Sequence, residues 1–241
     1  MHVLQYKRVA STNTTARRHA ENGKPEWTVV VSGSQSNGRG RQGATWQSPR
    51  GGLWFTIILR PIIPTESAPT IQFLAGNGLL NGIRAVTGLA PRVKWPNDIL
   101  VDSKKLAGIL VETKTSSAHI EYALIGIGLN LNLASNQIPS GAISTHMLLL
   151  RKLDPKHVLK KILQSIQSEC DQPFNPERIM AQWWKNCIHR DKLVTIKRGK
   201  TSLSGRNSAI DNQGRLILDK PSRKPILVSE GSLQLSSTPT T

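Results

Sequence analysis

The chain has 241 residues, and its 32 basic against 15 acidic side chains give a net charge of +17. With 38% hydrophobic and 20% charged residues, it has a globular composition, which excludes disordered, collagen-like and disulfide-stabilised classes. Its length predicts one large domain with at most a small second one. The two cysteines, Cys170 and Cys187, match no zinc or redox spacing and indicate reduced thiols.

The positive charge is spread along the chain. Residues 1–60 carry nine basic and two acidic side chains, and residues 191–241 carry nine and four. A basic chain invites a nucleic-acid interpretation, but no run of five or six basic residues forms a binding tail. The first 30 residues lack a signal-peptide pattern, and the longest apolar stretch, residues 123–133, is shorter than the roughly 20 residues of a membrane-spanning helix. We therefore expect a cytoplasmic protein that does not enter a membrane.

The first half of the chain predicts helices and strands around one long loop. Ser11, Thr12 and Asn13 favour a helix start, and we expect the helix to end near Gly23. Residues 33–52 contain six glycines and no apolar period, which in a compact domain indicates a functional loop. Around this loop the pattern predicts strands at residues 28–32 and 53–59 and a helix at residues 71–87.

The second half of the chain changes character near residue 190. Pro96 divides residues 93–101 into strand, turn and strand. Closely spaced β-rich runs after residue 190, with Gly214 in a hairpin, predict a small barrel. The other predicted elements are a hairpin turn at 102–105, strands at 106–113 and 120–132 around a polar turn at 114–117, and helices at 156–170 and 176–188. We therefore predict a domain of catalytic size, residues 1–188, and a small β domain with a short polar tail, residues 189–241.

The long loop carries the first candidate binding residues. Its sequence from residue 36 to residue 52 is SNGRGRQGATWQSPRGG. Glycines allow a ligand to approach the backbone closely, and Arg39 and Arg41 are forked donors for phosphate or carboxylate. By composition alone, the loop is equally typical of an RNA-binding RGG-like segment or of a solvated flexible loop.

Three further segments add candidate groups. Asp98, beside a proline turn between strands, offers the hard oxygen that Mg²⁺ prefers, although a single Asp in a turn is more often structural. Lys105, in a hairpin, is either a site cation or a solvated charge. Gly126 and Gly128 interrupt an apolar strand, which glycine weakens unless something approaches the backbone. Together the segments predict a site for a phosphorylated or anionic ligand, and no Ser-His-Asp or Cys-His arrangement competes.

Eight short motifs occur in one order between residues 11 and 132, and the resemblance that they carry extends over about residues 5–235. They are STN at 11–13, GRGRQG at 38–43 with W-x-S-P at 46–49, GGLW at 51–54, LRP at 59–61, KWPND at 94–98, KKLAGIL at 104–110 and GIGLNLN at 126–132. With these motifs the sequence resembles the biotin–protein ligases. The resemblance implies an α+β fold: a mixed β-sheet catalytic domain of the biotin/lipoate ligase type with flanking helices, plus a small SH3-like C-terminal β-barrel.

The resemblance also implies an activity. Such enzymes use ATP and Mg²⁺ to convert biotin to biotinyl-5′-AMP, and they then transfer biotin to a lysine of a biotin carboxyl carrier protein. Some relatives form homodimers through edge strands, so a homodimer is a possible state here. Because the chain begins close to the catalytic motifs, we expect a monofunctional form without an N-terminal helix-turn-helix domain, and no DNA partner.

The motif match assigns expected roles to individual residues. Arg39 and Lys105 are the implied catalytic residues, and Asp98 the implied Mg²⁺ ligand. The implied biotin contacts are Ser11, Thr12, Asn13, Gln35, Gly38, Arg39, Gly40, Arg41, Lys105, Gly126 and Gly128. The implied ATP contacts are Arg41, Trp46, Lys94, Asn97 and Asn130. Ala44 departs from the pattern, because many relatives have a basic residue there, and an auxiliary contact to phosphate or loop is in doubt.

Two alternatives stay open. A lipoate–protein ligase would share the catalytic fold, but the pairing of GRGR with KWPND argues against it. A nucleic-acid-binding protein would account for the charge and the small barrel, and it would bind with strong salt dependence.

Overall fold

The computed structural model describes residues 1–116, 119–220 and 223–235. The strands of its larger sheet are β1 (His2–Tyr6), β2 (Thr28–Ser32), β3 (Leu53–Leu59), β4 (Arg92–Lys94), β5 (Asp98–Val101), β6 (Lys104–Thr115) and β7 (Ile120–Leu129). Their order is β1-β2-β3-β7-β6-β5-β4. β1 and β2 run parallel, and all other neighbours run antiparallel. The sheet is therefore mixed.

Helices cover both faces of this sheet. They are α1 (Thr12–Glu21), α2 (Thr70–Thr87), α3 (Thr145–Leu149), α4 (Pro155–Cys170) and α5 (Pro176–Lys185). α1 packs on one face, where Ala16 and Ala20 meet buried Val30, Ile58 and Leu124. α2 covers the other face, and α4 and α5 pack against α2. α1 thus lies on one face of the sheet, and α2, α4 and α5 lie on the other.

Close helix contact fixes the layer behind the sheet. A Cβ atom added at Gly78 of α2 would lie 2.6 Å from the Cα of Ile166 in α4, and one at Gly82 would lie 2.7 Å from the Cα of Ile162. Glycine at these positions lets the two helix backbones approach closely. α4 begins at the Asp154 side chain, which accepts hydrogen bonds from two backbone N–H groups of its first turn.

The C-terminal part is a five-stranded antiparallel sheet. Its strands are β8 (Leu193–Arg198), β9 (Thr201–Ile210), β10 (Leu216–Lys220), β11 (Arg223–Val228) and β12 (Ser232–Leu235), in the order β11-β10-β9-β8-β12. Gly214, with φ of +77°, turns the chain between β9 and β10, as predicted. Val194 and Leu218 of this sheet belong to the same apolar cluster as Phe73 of α2. The boundary at residue 188 stays a prediction.

The main elements predicted from sequence are confirmed, with several differences. The hairpin turn predicted at 102–105 is confined to Asp102 and Ser103, because β6 already begins at Lys104. β1 and α3 were not predicted; β1 is a short and mostly exposed edge strand without a strong apolar pattern. The strand predicted at 120–132 ends at Leu129. Beyond it, the Asn132 side chain donates to the Leu153 carbonyl and accepts from the Leu153 N–H, so this part of the chain hydrogen-bonds outside the sheet. The turn predicted at 114–117 is strand as far as Thr115, and Ser117 lies outside the described residues. The last helix ends at Lys185 rather than at 188.

In the described ranges no helix combines the length and apolar character needed to cross a membrane.

Candidate active site

A small pocket lies on the α1 face of the sheet, where β6 and β7 carry glycines. Gly108 of β6 is paired with Gly128 of β7, and Leu110 with Gly126. A Cβ atom on Gly126 would overlap the amide of Asn13, and one on Gly128 would overlap the indole of Trp46. These glycines therefore allow two side chains to lie directly on the strand backbones, as the sequence predicted of Gly126 and Gly128.

The start of α1 forms one wall of the pocket. Gln35, from the long loop, accepts hydrogen bonds through Oε1 from the backbone N–H of Thr12 (2.7 Å) and from its hydroxyl (3.1 Å). Gln35 donates from Nε2 to the Ser48 hydroxyl at 2.7 Å. Buried Thr56 of β3 places its hydroxyl 2.6 Å from Oδ1 of Asn13. The wall is therefore tied to both the loop and the sheet floor.

Glu112 of β6 gathers three donors beside this wall. Its carboxylate accepts from Asn13 Nδ2 (2.7 Å), from Arg17 (3.0 Å) and from Arg39 (3.0 Å). Nε of Arg39 is buried and has no hydrogen-bond partner among the described residues. The loop arginine thus keeps a free donor while a carboxylate neutralises its charge.

Trp46 and Lys105 form the opposite wall. The Trp46 ring covers Gly108 and Gly128, and Nζ of Lys105 lies 4.8 Å from the ring centroid. The same Nζ forms an ion pair of 2.7 Å with Asp98. The indole N–H of Trp46 is buried without a hydrogen-bond partner in the described part of the chain. The Lys105 ammonium, the Asp98 carboxylate and the indole N–H of Trp46 therefore lie together at one end of the pocket.

The cavity between these walls is about 50 Å³, enough for one or two water molecules. Pockets for small ligands usually enclose roughly 300–1,000 Å³. Trp46 accounts for the small volume, because its ring occupies the groove over the glycines. The residues that line the cavity are Ser11, Thr12, Asn13, Gln35, Arg39, Gly40, Trp46, Asn97, Lys105, Gly108, Ile109, Leu110, Gly126, Ile127 and Gly128.

Five predicted site residues do not line this cavity: Gly38, Arg41, Lys94, Asp98 and Asn130. Asp98 still reaches it through Lys105. A Cβ atom at Gly38 would clash with the backbone carbonyl of Trp46. Glycine at this position therefore allows the two parts of the loop to lie close together. Lys94 lies in β4, where it pairs with Asp98 of the neighbouring strand β5.

Asn130 and Arg41 have their own surroundings. The Asn130 side chain is buried and donates to the backbone carbonyls of Lys105 (3.3 Å) and Ile143 (3.2 Å). Arg41 lines a separate cavity of about 280 Å³ next to the C-terminal sheet. Burial lowers the pKa of Arg41 below its usual value, and the charges of Asp98 and Glu230 oppose that change. Arg41 thus lies between the large sheet and the small one.

Comparison with known proteins identifies the family. Residues 6–130 match the model of the Biotin/lipoate A/B protein ligase family. The chain is 32% identical over 227 residues to the bifunctional ligase/repressor BirA of Bacillus spizizenii, with 90% of this chain and 69% of that protein covered. The chain belongs to the biotin/lipoate A/B protein ligase family.

Other members of the ligase family align over nearly the whole chain. The chain is 29% identical over 231 residues to the biotin–[acetyl-CoA-carboxylase] ligase of Paracoccus denitrificans, covering 91% of this chain and 95% of that one. The structure of the biotin protein ligase from Aquifex aeolicus, in complex with biotin and ATP, matches with a TM-score of 0.81 at 26% identity. That match covers 98% of this chain and 99% of the other. The predicted fold, a mixed-sheet catalytic domain with flanking helices plus a small C-terminal β unit, is confirmed; the part predicted as an SH3-like barrel is a five-stranded antiparallel sheet.

For this ligase-family member, sequence reasoning missed several pocket residues. Gly108, Ile109, Leu110 and Ile127 line the cavity without having been predicted as site residues, and Glu112 holds Arg39. One signal was present for Glu112: it follows Gly108 and Leu110 at a spacing of two, so it lies on the same strand face.

Proposed function

We propose that the chain is a biotin–protein ligase that makes biotinyl-5′-AMP from biotin and ATP and then biotinylates a lysine of a carrier domain. In the first step the biotin carboxylate attacks the α-phosphorus of ATP, the bond to the β-phosphate oxygen breaks, and pyrophosphate leaves. In the second step the lysine amine attacks the carbonyl carbon, AMP leaves, and the amine loses a proton. The observation that carries the proposal is the convergence of Arg39 and Lys105 on one glycine-floored pocket, with Asp98 paired to Lys105 at its edge.

The first step requires two anions to approach each other. Lys105 and Arg39 offset that repulsion if they bind carboxylate and phosphate as negative charge develops. In the free protein their charges are neutralised by Asp98 and Glu112 respectively. Ligand binding is therefore an exchange of partners. Substrate anions take over Lys105 and Arg39, Glu112 keeps its ion pair with Arg17, and Asp98 would hold Mg²⁺ instead.

The biotin side is assigned to the wall and floor of the pocket. We propose that Ser11, Thr12, Asn13 and Gln35 contact the ring system, and that Gly126 and Gly128 leave room for it. Gly38 and Gly40 allow the loop with Arg39 and Arg41 to fold over the ligand. The present cavity of about 50 Å³ requires that the Trp46 ring move as biotin enters, which brings it toward the nucleotide.

The nucleotide side is assigned to the turn after β4. We propose that Lys94, Asn97, Arg41 and Trp46 contact ATP. Asn130 supports this side through the Lys105 backbone, since its amide donates there. ATP and Mg²⁺ are then the cofactors of the reaction.

Asp98 fits a magnesium ion that is shared with ATP. Mg²⁺ in such sites is held by one or two carboxylates plus substrate phosphates. Asp98 offers one partly exposed carboxylate, and no group of three or more acidic, histidine or cysteine side chains in the described ranges forms a cage for a resident metal. When bound, Mg²⁺ neutralises phosphate charge; Asp98 would hold it on the side of Lys105.

The acceptor and the assembly state are also proposals. We propose a biotin carboxyl carrier protein as partner, because an acyl adenylate needs an amine acceptor. A homodimer through an edge strand such as β1, which pairs only with β2 in the described sheet, and a cytoplasmic location both stay predictions.

The decisive experiment incubates the protein with a carrier domain, biotin and MgATP, and measures the mass of the carrier. One added biotin on one lysine supports the proposal. Lipoate in place of biotin tests the alternative acyl ligase, and preferential lipoate-dependent pyrophosphate release would overturn the choice of substrate. Tight, salt-sensitive nucleic-acid binding with no adenylate formed would favour the binding protein instead.

A further inference from the structure

A buried imidazole joins the C-terminal part of the chain to the turn that carries Asp98. The backbone N–H of Trp95 donates to Nε2 of His189 at 2.8 Å. The indole N–H of Trp95 donates to the carbonyl of Gly214, between β9 and β10, at 2.9 Å. His189 and Trp95 are both buried. Trp95 thus donates two hydrogen bonds to residues that follow α5.

The rest of the turn is held by the large sheet and by α2. The Asn97 side chain donates from Nδ2 to the Ile109 carbonyl at 2.9 Å, and the Asn97 backbone carbonyl accepts from the Ile109 N–H at 3.0 Å. Gln72 of α2 donates to the Pro96 carbonyl at 2.8 Å. Asp98, the residue after Asn97, begins β5. Its carboxylate therefore projects from a turn whose position is set at Trp95 on one side and at Ile109 on the other.

His189 acts as an acceptor in this arrangement. A neutral imidazole has one acceptor nitrogen, and Nε2 uses it for the Trp95 N–H, so Nδ1 carries the proton. The buried side-chain amide of Asn207, in β9, lies 2.7 Å from Nδ1. Nδ2 of this amide also donates to the His189 carbonyl at 3.2 Å, and Oδ1 has no hydrogen-bond partner among the described residues. A half-turn of the amide lets Oδ1 accept the Nδ1 proton and gives up the longer bond to the carbonyl.

The surroundings keep the imidazole uncharged. Burial, with the charge of Lys94 nearby, lowers the pKa of His189 to about 3. The Cys187 sulfur lies 3.2 Å from Nε2, and burial raises the pKa of this thiol to about 12, so it also stays neutral. A charged imidazole would lose the acceptor that the Trp95 N–H requires.

We propose that His189 is a positioning residue for the nucleotide half of the site. Held by Asn207, it fixes the Trp95 N–H and through the turn sets Asp98 against Lys105. The inference rests on the proposed ligase function, since it concerns the ATP side of that pocket. The biotin wall, from Ser11 to Asn13 with Gln35, has no hydrogen bond to His189, so His189 should affect ATP and not biotin.

The test compares His189→Leu, which removes the acceptor, with His189→Gln, whose amide oxygen can replace Nε2. His157→Leu, at an exposed histidine on α4, is the matched control. For each variant we would measure the KM for MgATP and for biotin in biotin-dependent pyrophosphate release. Calorimetry would give the affinity for MgATP without biotin and for biotin alone, and thermal unfolding would report the fold.

We expect His189→Leu to raise the KM and the dissociation constant for MgATP about tenfold, which is the loss of about one hydrogen bond. Biotin affinity should stay within twofold, and His189→Gln should recover most of the loss. Equal weakening of biotin and MgATP, no change for MgATP, or a glutamine variant as poor as leucine would each overturn the proposal.

Two provisions keep the result interpretable. If His189→Leu does not fold, Asn207→Ala tests the same link by removing the partner of Nδ1, with the same expected outcome. Wild-type protein that binds MgATP but forms no biotinyl-AMP refutes the proposed function, while the calorimetric comparison of variants still decides the role of His189. Wild-type protein that binds no MgATP overturns both.

Discussion

Lys105→Ala separates chemistry from stability more cleanly than other substitutions in the pocket. The side chain ends in an ion pair with Asp98 and lies over Trp46, while its backbone is held by Gly141 and Ile143, which the substitution leaves intact. We expect biotinyl-adenylate formation to fall about 10²–10³-fold, since one preorganised cationic or hydrogen-bonding group at developing charge contributes roughly 3–4 kcal/mol.

The effect on stability should be much smaller. The Lys105 and Asp98 side chains are 35% and 22% exposed, so solvent screens their ion pair, and such pairs contribute about 0.2–1 kcal/mol. The contact with the Trp46 ring adds about 0.5–1 kcal/mol. Together these losses lower the melting temperature by no more than about 8 °C for a chain of this size.

The assay is single-turnover formation of biotinyl-AMP, with pyrophosphate release and thermal unfolding measured on the same samples. Lys104→Ala is the control, because Lys104 is the adjacent lysine of β6 and is exposed; its turnover and melting temperature should match wild type. Normal turnover in Lys105→Ala would remove this lysine from the site. A large loss of stability would show that the Lys105–Asp98 ion pair serves the fold rather than the chemistry.

Three more outcomes are expected. Asp98→Asn should shift the Mg²⁺ titration of adenylate formation to higher concentration, and an unchanged titration contradicts the metal role. Arg39→Gly should release biotinyl-AMP early and label bystander lysines; the idea fails if free biotinyl-AMP does not rise. Because the pKa of His189 is lowered to about 3 in the folded protein, the unfolded chain binds more protons between pH 3 and 6.5. The free energy of unfolding should therefore fall by about 1.4 kcal/mol per pH unit as the pH drops through that window. Above pH 6.5 the contribution of the neutral His189 to stability is fully present. His189→Gln should flatten this part of the pH curve, and an equally steep curve in the variant would assign the slope to other groups.

Local pattern was enough to predict most of the fold. α2 has a clear apolar spacing, and β3 is a run of β-branched and aromatic residues that is buried throughout. β1 escaped prediction because an edge strand buries little, and its residues alternate between exposed and half-buried. α3 escaped because five residues are too few to establish a period.

The candidate site could be predicted only where its residues are neighbours in sequence. Arg39 and Lys105 stood out because each lies in a compact motif. Glu112 did not, because its meaning depends on the register of β6 against β7 and on the distance between β6 and α1, both set by tertiary packing. Asn130 was placed on the nucleotide by its motif, yet its amide donates to backbone carbonyls, a contact that no local pattern encodes.

The packing of Gly214 against Phe73 limits how this protein can be divided. A Cβ atom at Gly214 would overlap the Phe73 ring, and apolar residues of both sheets share one cluster. Cutting the chain at residue 188 would therefore expose part of that cluster and leave the Trp95 N–H without its acceptor. For protein engineers, a split or truncated version that drops the C-terminal strands should aggregate rather than yield a minimal catalyst. Fusions and circular permutations are better placed at exposed positions away from the contact between the C-terminal sheet and α2.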